Sequence, residues 1–284
     1  MTERIYEAIK KASSLLSSKD LDENAAQLLM EFVTNKSGAS LLADMREYLT
    51  KTQQTAFWKH TEELLTGKPI QHIIGYEMFY GRQFEVNGNV LIPRPETEEL
   101  VENALKISMK LFETKDIHMA DIGTGSGAIA ISFKKEWPEA TVAATDISEE
   151  ALKVAERNAK KNEAEITFYQ GNLTEPIKQQ KWDVVLSNPP YIAPEESVAM
   201  SKTVVDFEPN HALFAEEDGL YFYKKLAKEL PRVMKTPSLI GLEIGYQQGT
   251  AVRELFQKAF PEAQVEIIQD INGKDRMIFC EIHE

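Results

Sequence analysis

His118-Met119-Ala120-Asp121-Ile122-Gly123-Thr124-Gly125-Ser126-Gly127 ends an apolar strand in three glycines at alternate positions. A helical pattern follows from Ala128. Glycines so spaced let the backbone approach a ligand with no Cβ in the way, at the positive end of the helix that follows. Asp146 lies 23 residues after Gly123, at the end of the next predicted strand. An acid there is placed to take the two hydroxyls of a ribose. Strand, glycine turn, helix, strand and acid make one nucleotide-binding half of an open α/β sheet.

Outward from this stretch the pattern continues. Strands are predicted near 118–122, 141–145, 166–170, 182–187, 238–244, 264–269 and 275–282. Helices are predicted near 127–136, 148–162, 219–234 and 247–259. Alternation implies a mostly parallel sheet with helices on both faces. No helix separates the last two strands, so Asp270-Ile271-Asn272-Gly273-Lys274 should turn them into an antiparallel hairpin. The expected fold is a Rossmann-like, seven-stranded α/β sheet. It occupies residues 93–284, where Pro93-Arg94-Pro95-Glu96-Thr97-Glu98-Glu99 opens a helix running to about 112.

Two further pieces precede it. Residues 1–68 read as a small all-helical domain, with Ile5, Ile9, Ala12 and Leu16 at helical spacing and Ser37 and Thr52 as N-caps. Residues 69–92 read as a β-hairpin linker, with Asn87-Gly88 as the turn between Phe84-Glu85-Val86 and Asn89-Val90-Leu91-Ile92.

Hydrophobic residues make up 43% and charged residues 27%, the composition of a globular protein. No apolar run approaches the roughly 18–20 residues of a membrane span. Met1-Thr2-Glu3-Arg4 carries an acid and does not read as a secretory signal. The single cysteine, Cys280, fits a reducing cytoplasm and a small apolar place in the last strand. Net charge is −13, and residues 1–88 hold 10 Lys/Arg against 12 Asp/Glu, so most of the excess acid lies beyond them. That argues against broad binding of phosphate backbones. The five histidines, His60, His72, His118, His211 and His283, show no metal-ligand spacing, so no metal is expected.

Asn188-Pro189-Pro190-Tyr191 ends the strand Trp182–Ser187. Neither proline can donate to a ladder, and the residue before a proline is held extended. Asn188 is thus fixed at the carboxyl end of a strand, where such sheets bind ligands. Asn188 Oδ1 and the Pro189 carbonyl offer two acceptors to one planar –NH2 group, with Tyr191 as a flat wall. A dehydrogenase would want a proton-handling residue there instead. S-adenosylmethionine is therefore the expected cofactor, giving S-adenosylhomocysteine. Asp121 is read as the partner of its amino-acid amine. Gly123, Thr124, Gly125, Ser126 and Gly127 are read as its cradle, and Asp146 with Ile147 as its ribose site. Asn172 and Leu173 are placed at the adenine edge and face.

On these motifs the chain resembles the class I S-adenosylmethionine-dependent methyltransferases. Within them it resembles the protein-(glutamine-N5) methyltransferases of peptide-chain release factors. The likeness extends through Gly75–Gly81, Leu91-Ile92-Pro93-Arg94-Pro95-Glu96-Thr97-Glu98, Phe207-Glu208-Pro209 and Glu243-Ile244-Gly245. Asn172 departs from it, where many methyltransferases carry Asp. The resemblance implies methyl transfer to the glutamine of a Gly-Gly-Gln motif. It makes Asn188, Pro189, Pro190 and Tyr191 the catalytic and substrate-binding residues, with Arg94 as a further substrate contact. Asn-Pro-Pro-Tyr is shared with N6-adenine and N2-guanine methyltransferases of RNA and DNA. Acidic charge and the helical front domain favour a protein acceptor over that alternative. A release factor is the expected partner, the chain a monomer away from membranes. For Arg94 a surface ion pair with Glu96 or Glu98 stands beside the substrate role. Residues 192–210 read as a polar loop that borders the substrate site and orders on binding.

Overall fold

A computed structural model describes residues 2–283. In chain order its helices are α1 (Ile5–Ser17), α2 (Ala25–Thr34), α3 (Gly38–Ala43), α4 (Lys51–Leu64), α5 (Ile70–Ile74), α6 (Pro95–Leu111), α7 (Ala128–Glu136), α8 (Glu149–Lys161), α9 (Lys202–Phe207), α10 (Tyr221–Glu229) and α11 (Gly249–Ala259). Its strands are β1 (Tyr76–Phe79), β2 (Arg82–Glu85), β3 (His118–Ile122), β4 (Thr141–Asp146), β5 (Ile166–Gln170), β6 (Trp182–Ser187), β7 (Met234–Glu243), β8 (Gln264–Gln269) and β9 (Asp275–Ile282).

The chain forms two units. The first runs up to Tyr76 and also takes in Ser201–Phe207. Its core is a helical stripe: Ile5, Ala8, Ala12 and Leu16 of α1 meet Ala26, Leu29 and Met30 of α2 and Phe57 of α4. Thr50, rather than Thr52, caps α4, through a reciprocal box in which Thr50 Oγ1 accepts from Gln53 N and Gln53 Oε1 accepts from Thr50 N. Helix α9 joins this unit, with Phe207 and Thr203 beside the turn at Gly67.

The second unit holds Glu77–Met200 and Glu208–Glu284. Its seven strands lie in the order β5-β4-β3-β6-β7-β9-β8. The first five are parallel, and β9 runs antiparallel to both β7 and β8. Alternate residues of a strand enter opposite cores: Val184 and Leu186 face α6 and α7, whereas Val185 faces α10 and α11. Burial on both faces explains why these strands read as continuous apolar runs. Cys280 is fully buried in the second of these cores, and burial pushes its thiol up to about 12.

The hairpin lies earlier than the sequence suggested. Strands β1 and β2 pair around Tyr80-Gly81, both with positive φ as a type I′ turn requires. Asn87-Gly88 makes a local turn instead, in which Asn87 Oδ1 accepts from Asn89 N at 2.9 Å. No strand follows it.

Trp182 is fully buried at the start of β6, its Nε1 donating to the Ile177 carbonyl at 3.4 Å. Trp182→Ala should lower unfolding free energy by about 3–5 kcal/mol, read as a lower urea midpoint at unchanged slope.

The chain moves outward from β3 to β4 and β5, then returns to β6 on the other side of β3. Such a reversal opens a crevice at the carboxyl ends of the two central strands. Register brings Asp121 beside Leu186, so the residues after Ile122 and after Ser187 emerge side by side. Ser187 Oγ donates to the Ile122 carbonyl at 2.6 Å and ties the two exits together.

Candidate functional site

The crevice is a cavity of about 260 Å³. Gly123, Thr124, Gly125 and Ser126 form one side, Asp146 and Ile147 the next, Asn172 and Leu173 a third, and Asn188, Pro189 and Pro190 face them. Residues from the ends of β3, β4, β5 and β6 thus meet in one place.

The glycine turn is tied down from below. Gly123 N and Thr124 N both donate to the Thr145 carbonyl, at 2.8 and 2.9 Å. Gly123, Gly125 and Gly127 have φ of +75°, +54° and +84°. A Cβ at Gly123 or Gly125 would meet nothing within 4 Å, whereas one at Gly127 would lie 2.9 Å from Ile131 Cδ1 and 3.2 Å from Ala155 Cβ. The first two glycines therefore leave open space for a ligand. The third lets α7 and α8 approach.

Asp146 is held by two backbone donors. Gly125 N reaches its Oδ2 and Ser148 N its Oδ1, each at 2.9 Å. Each carboxylate oxygen keeps a lone pair for a further donor. Gly171 N donates to the Asp146 carbonyl, and Thr145 Oγ1 donates to the Leu173 carbonyl, which fixes the Asn172-Leu173 turn beside it.

Asp121 does not line the cavity. It is fully buried beneath the loop, where its Oδ2 accepts from Thr124 Oγ1 at 2.6 Å and from Ala130 N at 3.2 Å. Its Oδ1 has no partner among the described residues. Burial, with a smaller push from Asp146, raises this carboxyl to about 7 against the two hydrogen bonds. The expected direct hold of Asp121 on a ligand amine is not seen. The structure shows it bracing the turn and the start of α7, because Asp121, next to last in β3, shares the face of Met119, which packs into the core beneath α7.

Asn188 is oriented by a chain of hydrogen bonds. Its Nδ2 donates to Thr97 Oγ1 at 3.2 Å, and Thr97 Oγ1 donates to Glu243 Oε2 at 2.6 Å. Asn188 Oδ1 accepts no hydrogen bond from the described residues. Glu243 is fully buried, and burial raises its carboxyl to about 7, against the Thr97 hydrogen bond and the charges of Arg276 and Arg94.

Tyr191 is not among the cavity walls, contrary to the sequence reading. Its ring packs against the Tyr223–Ile240 core, and its carbonyl accepts from Gln248 Nε2 at 2.9 Å. A Cβ at Gly219 would stand 2.1 Å from that carbonyl oxygen. Two consecutive prolines turn the chain sharply enough to send the following side chain inward. Tyr191 thus anchors the motif from behind.

Arg94 lines the cavity and pairs with Glu208 rather than with Glu96 or Glu98. The Glu208 side chain is 1% exposed and also accepts from Ile92 N at 3.1 Å. A buried carboxylate is stable only when paired and bonded in this way. Residues 192–210 are not a featureless loop. Short 3₁₀ turns occupy Pro194–Ala199 and Asn210–Ala212 around α9, and Ile192 N donates to the Leu213 carbonyl to close the excursion. Its far end, His211 and Ala212, borders the cavity in place of 192–210 itself.

Sequence reasoning missed Thr97, Glu208, Glu243 and Gln248 as supports, and Phe222 as a wall. It also missed Asn158, whose Nδ2 holds the Ser126 carbonyl at 2.9 Å. A polar residue on the apolar stripe of a helix, as at Thr97 and Asn158, is the signal that could have marked two of them.

The residues present fit S-adenosylmethionine. The cavity combines open space over two glycines, a carboxylate with free lone pairs, and the side chain of Asn188, whose amide oxygen is not used by the described residues. No group of described residues has metal-ligand spacing, and no described helix is long and apolar enough to cross a membrane.

Two family profiles match the chain: the PrmC N-terminal domain over residues 7–75 and the methyltransferase small domain over residues 98–211. The chain is 48% identical to the release factor glutamine methyltransferase of Bacillus anthracis over 281 residues, 98% of this chain and 99% of that protein. It is 47% identical to the release factor glutamine methyltransferase of Bacillus subtilis (strain 168) over 283 residues, 99% of this chain and 98% of that protein. Among solved structures, a methyltransferase from Pyrococcus furiosus covers 80% of this chain and 99% of its own, with TM-score 0.53 at 18% identity, a likeness of fold alone.

Proposed function

The chain belongs to the release factor glutamine methyltransferases, and from that premise we propose how its site acts. It is an S-adenosylmethionine-dependent enzyme that methylates the N5 amide nitrogen of a release-factor glutamine. The nucleic-acid alternative has no support among the full-length relatives described above. The acceptor we assign is the glutamine of a Gly-Gly-Gln motif.

The observation that carries this reading is the fixed Asn188 amide, with Nδ2 spent on Thr97 and Oδ1 left for the cavity. An amide nitrogen is a weak nucleophile, because its lone pair is delocalised into the carbonyl. Asn188 Oδ1 and the Pro189 carbonyl each accept one N–H of the glutamine and fix its plane. The nitrogen's out-of-plane lobe then points across the cavity toward the glycine turn. The cofactor supplies an electrophilic methyl group there. As the nitrogen attacks it gains positive charge, so both hydrogen bonds strengthen in the transition state. The electron pair of the broken S–CH3 bond leaves with S-adenosylhomocysteine, and the nitrogen's surplus proton passes to water after transfer. Alignment of this kind supplies about 7–11 kcal/mol in favourable cases. No side chain of Asn188–Tyr191 is a base, and none is required before transfer. Asp146 holds the ribose, and Asn172 and Leu173 hold the adenine.

Incubation with methyl-labelled S-adenosylmethionine tests this. Purified release factor, tRNA and DNA are offered separately, and peptide mass spectrometry locates the label. A methyl on the Gly-Gly-Gln glutamine is the expected result. Label on another release-factor residue, or on nucleic acid only, would overturn the assignment.

A further inference from the structure

We propose that Thr97 and Glu243 are positioning residues for methyl transfer, which together dictate which end of the Asn188 amide faces the cavity. The inference rests on the acceptor site proposed above. An amide side chain is nearly symmetric in shape, so packing alone does not choose between its oxygen and its nitrogen. The choice matters here, because an N–H turned toward the glutamine –NH2 would repel it.

The hydrogen-bond chain makes the choice by polarity. An ionised carboxylate can only accept. Thr97 has one hydroxyl hydrogen, and it goes to Glu243 Oε2 at 2.6 Å. Toward Asn188, Thr97 Oγ1 can then only accept, so the amide must present Nδ2, as it does at 3.2 Å. Oδ1 is left pointing into the cavity. Thr97 and Glu243 are 5% and 2% exposed and the bond between them is buried, and a buried network holds its members firmly.

The device depends on the charge of Glu243. Facing it are Arg276 from β9, Arg94 and Glu96 at the start of α6, Tyr191 after β6 and Tyr223 from α10. Burial pushes both phenols up, so the two tyrosines stay neutral. Glu243 itself is raised to about 7. Above that pH it is ionised and the amide is locked. Below it, a protonated Glu243 can donate to Thr97 Oγ1, which frees the Thr97 hydrogen for Asn188 and lets the amide turn over. Turnover should therefore fall as pH drops through this range.

The test uses single-turnover methyl transfer to purified release factor at saturating cofactor, with cofactor affinity measured separately. Thr97→Val keeps the shape and removes the hydroxyl. It should slow transfer by about tenfold with cofactor affinity unchanged. Thr97→Ser restores the hydroxyl and should recover most of the loss. Glu243→Gln should slow transfer and flatten the acid limb of the pH profile. Thr97→Val at the wild-type rate would overturn the proposal. So would an acid limb that survives in Glu243→Gln, since Asp121, also near 7, would then carry it. If the wild-type protein fails to methylate release factor at all, the acceptor assignment fails instead, and the two failures are distinct.

Discussion

Asn188→Ala is expected to slow methyl transfer by about 10²- to 10³-fold while cofactor affinity holds. The substitution removes the oxygen proposed to accept one glutamine N–H. The lost bond is worth most in the transition state, when the nitrogen is turning positive, so kcat should carry the defect and KM for release factor little of it. The backbone is spared, because Pro189 and Pro190 fix its course and Gln248 Nε2 holds the Tyr191 carbonyl, which lies close against Gly219. Calorimetry with S-adenosylhomocysteine, together with single-turnover kinetics, separates the two effects. Transfer at the wild-type rate would sink the proposed role of Asn188. A loss confined to cofactor binding would do the same.

Asp146→Ala carries the second large effect, on the other partner. Two charge-assisted hydrogen bonds to a ribose are at stake, and cofactor affinity should weaken by about 10²-fold or more. Asp146 also receives Gly125 N and Ser148 N, so its loss slackens the glycine turn too. A ligand lacking both ribose hydroxyls separates these contributions. It should bind the wild-type protein far more weakly than the normal cofactor, yet lose little more in Asp146→Ala. If the variant weakened both ligands by the same factor, Asp146 would be bracing the loop rather than holding the ribose.

What could be read in the sequence followed from how local each signal was. β3, β4 and β6 were legible because both faces of a central parallel strand are buried, which writes a largely apolar run, and the edge strand β5 was legible from its alternation with the helices. The clustering of Gly123, Asp146, Asn172 and Asn188 was legible because each sits at the end of a strand or just past it. The hairpin was misplaced because Asn87-Gly88 is strong turn chemistry that here closes only on Asn89, while Tyr80 is an unexpected residue at positive φ. The cap of α4 falls at Thr50 rather than at the expected Thr52, because Thr50-x-x-Gln53 has the spacing of a reciprocal capping box. Asp121 and Tyr191 were given ligand contacts on sequence position alone, and their side chains point into the core. The chain from Asn188 through Thr97 to Glu243 joins α6, the end of β6 and the end of β7. No sequence spacing encodes it, since only the closed sheet brings the three together.

The membership of Ser201–Phe207 in the helical unit bears on how the protein leaves the ribosome. Helices α1 to α5 are made first, yet the piece that completes their unit is made only after β3 to β6. At a synthesis rate of about 5–20 residues per second that is a delay on the order of ten seconds. The nascent helical unit must wait through it with the face that α9 will cover still bare. A fragment ending before Ser201 would keep that face bare for good, and so would be a poor stand-in for the unit in isolation.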